Sequence, residues 1–495
     1  MVRMADLLSS HHFWSLLPGL SVLLGLVWII SRHRLASPTR HIPGPWHTNW
    51  SKAVYNFHFL IGTRCQYVHA LHSKYGPVVR IAPGTVNVTS VEALKTIYGS
   101  REQFRKSPFY RLLAVPGQQG LFNTVDVEFH RRHRRLLAGP MAESSLQSML
   151  PVVEARLAST LSRIRDEVAS RGAADVFKWW LFMATDIIGE LTFGESFGML
   201  ELGHKNEYTN ELEQGSFVGA ARCVFPFLVR LGRVLPLPVF HRVHDAGERM
   251  TQYAADSLER YRRLVDSGAD KVPETLFSKV FKANGEGTMP YNEIRDEALN
   301  YIAAGSDTVS VTLTYLSWTL SRKTDIRDRL VEELRTLPPG FGAQDLRELP
   351  FLNQVIDETL RIYSAAPAPF PRLVPAEGAR LAGYDMPGGI EVSAQAFSLH
   401  RDPTIFPGPY EFRPERWASP TVAMRDALVP FGRGARVCIG QHLARIELRL
   451  ATARFFLAFP DVRMSSLEGM SDDDMEPIIQ LFLTPKGKRC LLEAK

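Results

Sequence analysis

The sequence predicts a mainly α-helical chain with small β-sheets, an α+β arrangement in one large domain, behind a single membrane-spanning helix. Three observations predict it. Apolar residues recur at helical spacing over residues 151–200, from Glu293 to Arg322, and in the run after Gly440. Strand signals are few and short, at Val78-Val79-Arg80-Ile81-Ala82 and Val86-Asn87-Val88, joined at Pro83-Gly84. Within the 495 residues there is no Gly/Ser-rich tract, long charge run or internal repeat to mark a linker.

Composition narrows the class. Hydrophobic residues at 45% and charged ones at 22% provide an ample core. A net charge of +6 suits an anionic membrane surface or an acidic partner and is too small and dispersed to argue for nucleic acid. The four cysteines, at 65, 223, 438 and 490, lack disulfide-framework spacing, which indicates a reducing compartment.

From Phe13 to Ile30 the only polar side chains are Ser15 and Ser21. At 1.5 Å per residue such a helix nearly crosses a hydrocarbon core of roughly 30 Å. Trp14 and Trp28 lie near its ends, and Arg32, His33 and Arg34 stand after it as a stop signal where a cleaved leader would carry small residues. The expected order is a lumenal tail at 1–12, an anchor at 13–31, a basic, proline-rich hinge at 32–45 and the globular domain at 46–495. Positive charge concentrated after the anchor puts that domain in the cytosol.

Four places carry chemistry. Phe431 to Gly440 reads Phe-Gly-Arg-Gly-Ala-Arg-Val-Cys-Ile-Gly and runs into a helix. A cysteine there meets free N–H groups and the positive end of a helix dipole, which favour thiolate, so Cys438 is a candidate metal ligand. Its glycines would let the loop lie against a large planar cofactor, with Arg436 answering a carboxylate on it. Packing alone is the alternative role for the cysteine. His130 and Arg134, in the run from His130 to Arg135, stand i, i+4 and can reach one anion, although a solvated face or a targeting run has the same composition. Gly305, in Ala304-Gly305-Ser306-Asp307-Thr308, costs about 1 kcal/mol inside a helix, so something must approach it closely. Thr308 can bond back to a carbonyl and open the helix locally. Glu358 and Arg361 stand i, i+3 in a helix expected over Leu352 to Tyr363.

The arrangement Phe-x-x-Gly-x-Arg-x-Cys-x-Gly resembles the haem-binding loop of the cytochrome P-450 family, the haem-thiolate monooxygenases. Other motifs of that family occur in order over residues 43 to 490. The resemblance implies the cytochrome P-450 fold, with haem b held by Cys438 as axial thiolate and with Phe431, Gly434 and Gly440 shaping the loop. It implies that His130, Arg134, Arg372 and Arg436 meet the haem propionates. Gly305, Asp307 and Thr308 resemble the signature of the long helix opposite the thiolate: Thr308 would hold a water or the distal oxygen of dioxygen, and Asp307 would bring protons. Glu358, Arg361 and Arg416 resemble the family's buried structural network. Val309 stands where many fungal members have a second threonine.

The reaction implied by the resemblance is insertion of one oxygen atom into a hydrophobic small molecule, a terpenoid or polyketide intermediate of fungal secondary metabolism. NADPH would supply electrons through a separate cytochrome P-450 reductase, with cytochrome b5 as an additional donor, at the endoplasmic reticulum membrane. Substrate contacts are expected from Lys106–Phe129, Arg222–Phe240, Tyr301–Ala304, Ser364–Pro369 and Glu476–Gln480. The proline-interrupted stretch Phe225–Phe240 is expected as a membrane-dipping surface loop. Rival readings are a haem-thiolate isomerase or dehydratase working without dioxygen, members of which tend to lack the acid-alcohol pair, and a membrane-anchored haem sensor.

Overall fold

The computed structural model describes residues 37–114, 117–205, 207–232, 238–267 and 274–494. The expected anchor at 13–31 lies outside them. Among the described residues no helix is long and apolar enough to cross a membrane.

Six helices position the site: Val127–Ala138 (α1), Leu150–Arg171 (α2), Val176–Phe193 (α3), Tyr291–Arg322 (α4), Pro350–Ile362 (α5) and Gln441–Ala458 (α6). Asp126 starts α1, where its carboxylate accepts the N–H groups of Glu128 at 2.8 Å and Phe129 at 3.1 Å. Along α4, buried hydroxyls are satisfied by the helix itself: Thr312 donates to the Thr308 carbonyl and Thr314 to that of Ser310, both at 2.7 Å. A polar sequence can thereby run through the core. The main core cluster joins α2, α3, α4, α5 and α6, with Trp180 of α3 donating its indole N–H to Ser317 of α4 at 3.3 Å.

A four-stranded sheet flanks this body. It contains Val78–Ala82 (β1), Thr85–Val88 (β2), Arg372–Leu373 (β3) and Glu391–Ser393 (β4), in the order β1-β2-β4-β3. β1 pairs antiparallel with β2, β2 runs parallel to β4, and β3 pairs antiparallel with β4. The β1–β2 hairpin places Arg80 beneath the proline-rich segment. Its guanidinium donates to the carbonyls of Thr39 and Ile42, at 3.0 and 2.8 Å, and to the Thr48 hydroxyl at 3.0 Å. Residues 39–48, within and just beyond the expected hinge, are thus fastened to the sheet. Prolines lack N–H groups but keep carbonyls, and a buried guanidinium collects free carbonyls.

The expected loop Phe225–Phe240 is largely helical where described: Pro226–Leu231 forms one helix and Pro238–Asp266 begins another. Both prolines occupy the first helical turn, where the missing N–H costs nothing, so they start helices here and do not break them.

Candidate active site

The cysteine loop lies immediately before α6. The Cys438 N–H donates to the Phe431 carbonyl at 2.8 Å, which closes the loop, and Phe431 packs against the main core. Gly434 has φ +70°, and a Cβ on it would stand 2.0 Å from the Tyr98 carbonyl oxygen. That glycine seats the loop on the neighbouring backbone; its bare side does not face outward for a cofactor. Nothing lies within 4 Å of the Cβ position of Gly440, so this glycine leaves room beside the cysteine.

Cys438 differs from the other three cysteines. Burial pushes Cys65 and Cys223 up to about 12 and Cys490 well above the ordinary thiol range. Cys438 keeps exposed surface and has Arg134 and Tyr301 as electrostatic neighbours. Burial raises its thiol as well, while the Gly440 N–H and the Arg134 charge pull it down. The start of the helix does not by itself make a thiolate here; a bound metal cation would.

Across from the loop runs α4. It is helical without interruption past residue 305, and the Thr308 hydroxyl donates to the Ala304 carbonyl at 2.8 Å. The back-bond forms without opening the helix. Ala304 is exposed although the helix around it is largely buried, and Thr308 stands one turn on along the same face. The empty side of Gly305 points elsewhere. A Cβ there would meet Ile188 of α3, with Cγ1 at 2.6 Å and Cβ at 2.9 Å. What approaches Gly305 closely is a neighbouring helix, so its role is packing and not chemistry. Asp307 lines a cavity of about 300 Å³ with Phe217, Ser310, Ile478 and Gln480, on a side of α4 that also reaches the C-terminal strands.

A cation cluster borders the loop. His130 and Arg134 of α1, Lys106, Arg372 of β3 and Arg436 interact electrostatically at one place. Arg134 donates to the Val437 carbonyl at 2.8 Å, and Arg436 pairs with Glu102 and donates to the Thr124 carbonyl at 3.3 Å. Burial, reinforced by Arg436, Lys106, Arg134 and Arg372, drives the His130 imidazole down to about 3. Lys106 is held well below the ordinary lysine range by burial and by Arg436 and Arg372. His130 Nδ1 and Arg372 Nε are buried without a partner. Lys106 and Glu102 belong to this cluster although no spacing motif singles them out; the run Arg101-Glu102-Gln103-Phe104-Arg105-Lys106 is the one signal of them in the sequence.

Beside and beneath these groups, Glu358 on α5 accepts from Arg361 at 2.9 and 2.8 Å, from Arg416 at 3.0 Å and from the Trp417 indole at 2.9 Å. Arg361 adds 2.7 Å bonds to the His400 and Pro409 carbonyls. The three charged side chains are at most 5% exposed, so the network ties the segment before the cysteine loop to α5.

The donor set fits a flat, dianionic iron macrocycle: a cysteine with free surface, a small-residue helix face opposite, and a group of buried cations in which Arg436 has its carboxylate partner in Glu102. The fold and site thus define a haem-thiolate protein. A family model described as Cytochrome P450 matches residues 43–492. Cytochrome P450 monooxygenase tazI of Aspergillus terreus is 44% identical over 476 residues, 95% of this chain and 97% of the relative. Cytochrome P450 monooxygenase stcB of Emericella nidulans is 33% identical, covering 92% of this chain and 88% of the relative. The solved structure of retinoic acid-bound cyanobacterial CYP120A1 shares the fold, with a TM-score of 0.68 at 21% identity over 86% of this chain and 93% of that one.

The chain belongs to the cytochrome P450 family. It is accordingly an oxidoreductase, a haem-dependent monooxygenase acting on a hydrophobic substrate. A cysteine thiolate holds the iron, and electrons come from NADPH through a reductase.

Proposed function

We propose that this chain inserts one oxygen atom from dioxygen into a C–H or C=C bond of a hydrophobic small molecule, a terpenoid or polyketide intermediate of fungal secondary metabolism. One observation carries the assignment of residues: Cys438 has Arg134 of the buried cation cluster and Tyr301 of α4 as electrostatic neighbours, and Tyr301 stands on α4 one turn before Ala304 and two before Thr308. Haem bound through Cys438 supplies dioxygen reduction and oxygen-atom transfer. His130, Lys106, Arg134, Arg372 and Arg436 would hold its two carboxylates, anions that would offset the positive charge gathered there. Thr308 keeps a water or the oxygen substrate in place, and Asp307, one residue back, passes protons inward from its own cavity. Ala304 leaves space for the substrate.

Several features support a membrane location with the catalytic body in the cytosol at the endoplasmic reticulum. Trp46, Phe57, Ile61, Phe217, Phe225 and Phe227 are exposed large apolar side chains on elements near the amino-terminal end of the described chain and around the helix starting at Pro226. They add to the apolar stretch at 13–31. Reductase, with cytochrome b5 as an additional donor, would dock from the same compartment. The Asp307–Thr308 pair speaks against an isomerase, dehydratase or sensor, none of which needs protons delivered to bound dioxygen.

The reduced protein under carbon monoxide tests the reading. A red-shifted Soret band of thiolate-ligated haem is expected, and Cys438→Ser should abolish it. A band at the position of histidine-ligated haem overturns the assignment.

A further inference from the structure

The geometry points to a second proton route into the active site, running from solvent through Glu293, His133, Glu297 and Tyr301 to the space between Cys438 and Thr308, separate from Asp307. It rests on the monooxygenase reading above. Glu293, Glu297 and Tyr301 repeat at i, i+4 on α4, so they form one stripe that continues toward Ala304 and Thr308. The stripe begins in water and ends inside: the Glu293 side chain is 17% exposed, while those of His133 and Glu297 are fully buried.

His133 of α1 bridges the first two members. Its Nε2 lies 2.9 Å from Glu293 Oε2 and its Nδ1 lies 2.6 Å from Glu297 Oε1. An imidazole with a carboxylate on each nitrogen can take a proton at one and release one at the other. Among the described residues no cluster of His, Cys, Asp and Glu has the arrangement of a metal site, so the three donors are left with proton exchange or mere structure. The next step inward is also prepared. Glu297 Oε2 and the Tyr301 hydroxyl are both buried without a partner, on side chains whose Cβ atoms lie about 5–6 Å apart at this spacing. Glu297 and Tyr301 are electrostatic neighbours, and a water between them would carry the proton across this step. Tyr301 in turn has Cys438 and Arg134 for neighbours.

Other charged groups face the path at its sides. Arg132 pairs with Glu293 at 2.9 Å, Arg295 pairs with Asp296 at 2.9 Å, and Asp296 accepts the Gln119 N–H at 3.0 Å. Burial pushes the Glu297 carboxyl up, against the pull of His133. Each group releases one proton for each it accepts. Nothing is oxidised or reduced, and the charge of the stripe is unchanged after a transfer.

The competing role is mechanical, because Glu297 Oε1 also accepts the Leu121 N–H at 2.8 Å and could simply latch the segment around it. Two conservative variants separate the roles. Glu297→Gln keeps an acceptor for Leu121, and Tyr301→Phe removes only a hydroxyl. On the resting full chain, infrared spectroscopy over a pH series should show the carbonyl stretch of a buried protonated carboxyl that Glu297→Gln removes. In turnover, both variants should raise the share of NADPH electrons lost to peroxide severalfold and change the solvent deuterium isotope effect, with an unchanged melting temperature. A spectrum that Glu297→Gln leaves untouched, or wild-type coupling in both variants, overturns the route. Thr308→Ala, assayed in parallel, keeps the two readings apart: wild-type coupling there would instead sink the monooxygenase assignment of α4.

Discussion

Replacing Glu358 by glutamine probes how the cysteine loop is held in place. The carboxylate neutralises Arg361 and Arg416 and also accepts the Trp417 indole and the Arg413 backbone N–H, all within 2.8–3.0 Å. Glutamine keeps the shape and one acceptor oxygen but sets an NH₂ group against two buried guanidinium ions. Removing one partner of such a buried set typically costs about 3–5 kcal/mol, because the remaining charges stay buried and unpaired. Against a total folding free energy of about 5–15 kcal/mol, that is roughly a fifth or more of the reserve. Glu415→Gln serves as the control, since Glu415 pairs with Arg329 at 2.7 Å where both side chains are half exposed. Its loss should cost no more than about 1 kcal/mol. Thermal denaturation and haem content per chain read out both variants. Glu358→Gln should melt well below Glu415→Gln and bind less haem. If the two melt within about 1 °C of each other with equal haem, the network does not carry the load assigned to it.

Three further outcomes are expected. Gly305→Ala should destabilise by about 1–3 kcal/mol through overpacking on Ile188, and Ile188→Ala should recover part of that in a double-mutant cycle read by denaturant unfolding; simple additivity would contradict the contact. Thr308→Ala should leave haem and substrate binding intact while diverting NADPH electrons from product to peroxide, measured as product formed per NADPH consumed. His400 donates from Nδ1 to the Arg361 carbonyl at 2.9 Å and accepts the Val429 N–H at Nε2 at 3.0 Å, and burial with Arg361 nearby holds it down at about 3. The unfolded chain protonates it near pH 6.5, so stability should fall as pH drops below that value, by about 1.4 kcal/mol per unit from this residue. Denaturant titrations between about pH 6 and 4 should show a shallower slope in His400→Gln.

The sequence was most legible where local spacing encodes structure. Val78–Ala82 stands as a strand with the bounds its flanking turn residues imply, and α5 begins two residues before the expected Leu352, at Pro350. The arrangement from Phe431 to Gly440 points to a cysteine in an unusual setting without help from any distant neighbour. Legibility failed where a residue's meaning depends on a distant partner. The cost of Gly305 shows in the sequence, but Ile188 is more than a hundred residues away, and nothing local says whether a cofactor or a helix fills the gap. Pro226 and Pro238 read equally well as breakers or starters of helices until the chain around them is seen. Lys106 and Glu102 form no spacing motif; their importance comes from the cations that the fold gathers around them.

That gathering has an electronic consequence. Positive charges in a poorly screened interior lower the energy of any electron placed nearby, and this effect is strong where water is excluded. On the proposed assignment, Lys106, Arg134, Arg372 and Arg436 would therefore do more than grip two carboxylates. They would also tune how readily a bound haem iron accepts an electron, against the opposing push of the thiolate. Neutralising a member of the cluster, as in Arg372→Gln, would shift the reduction potential downward, and the choice of compatible reductase would shift with it.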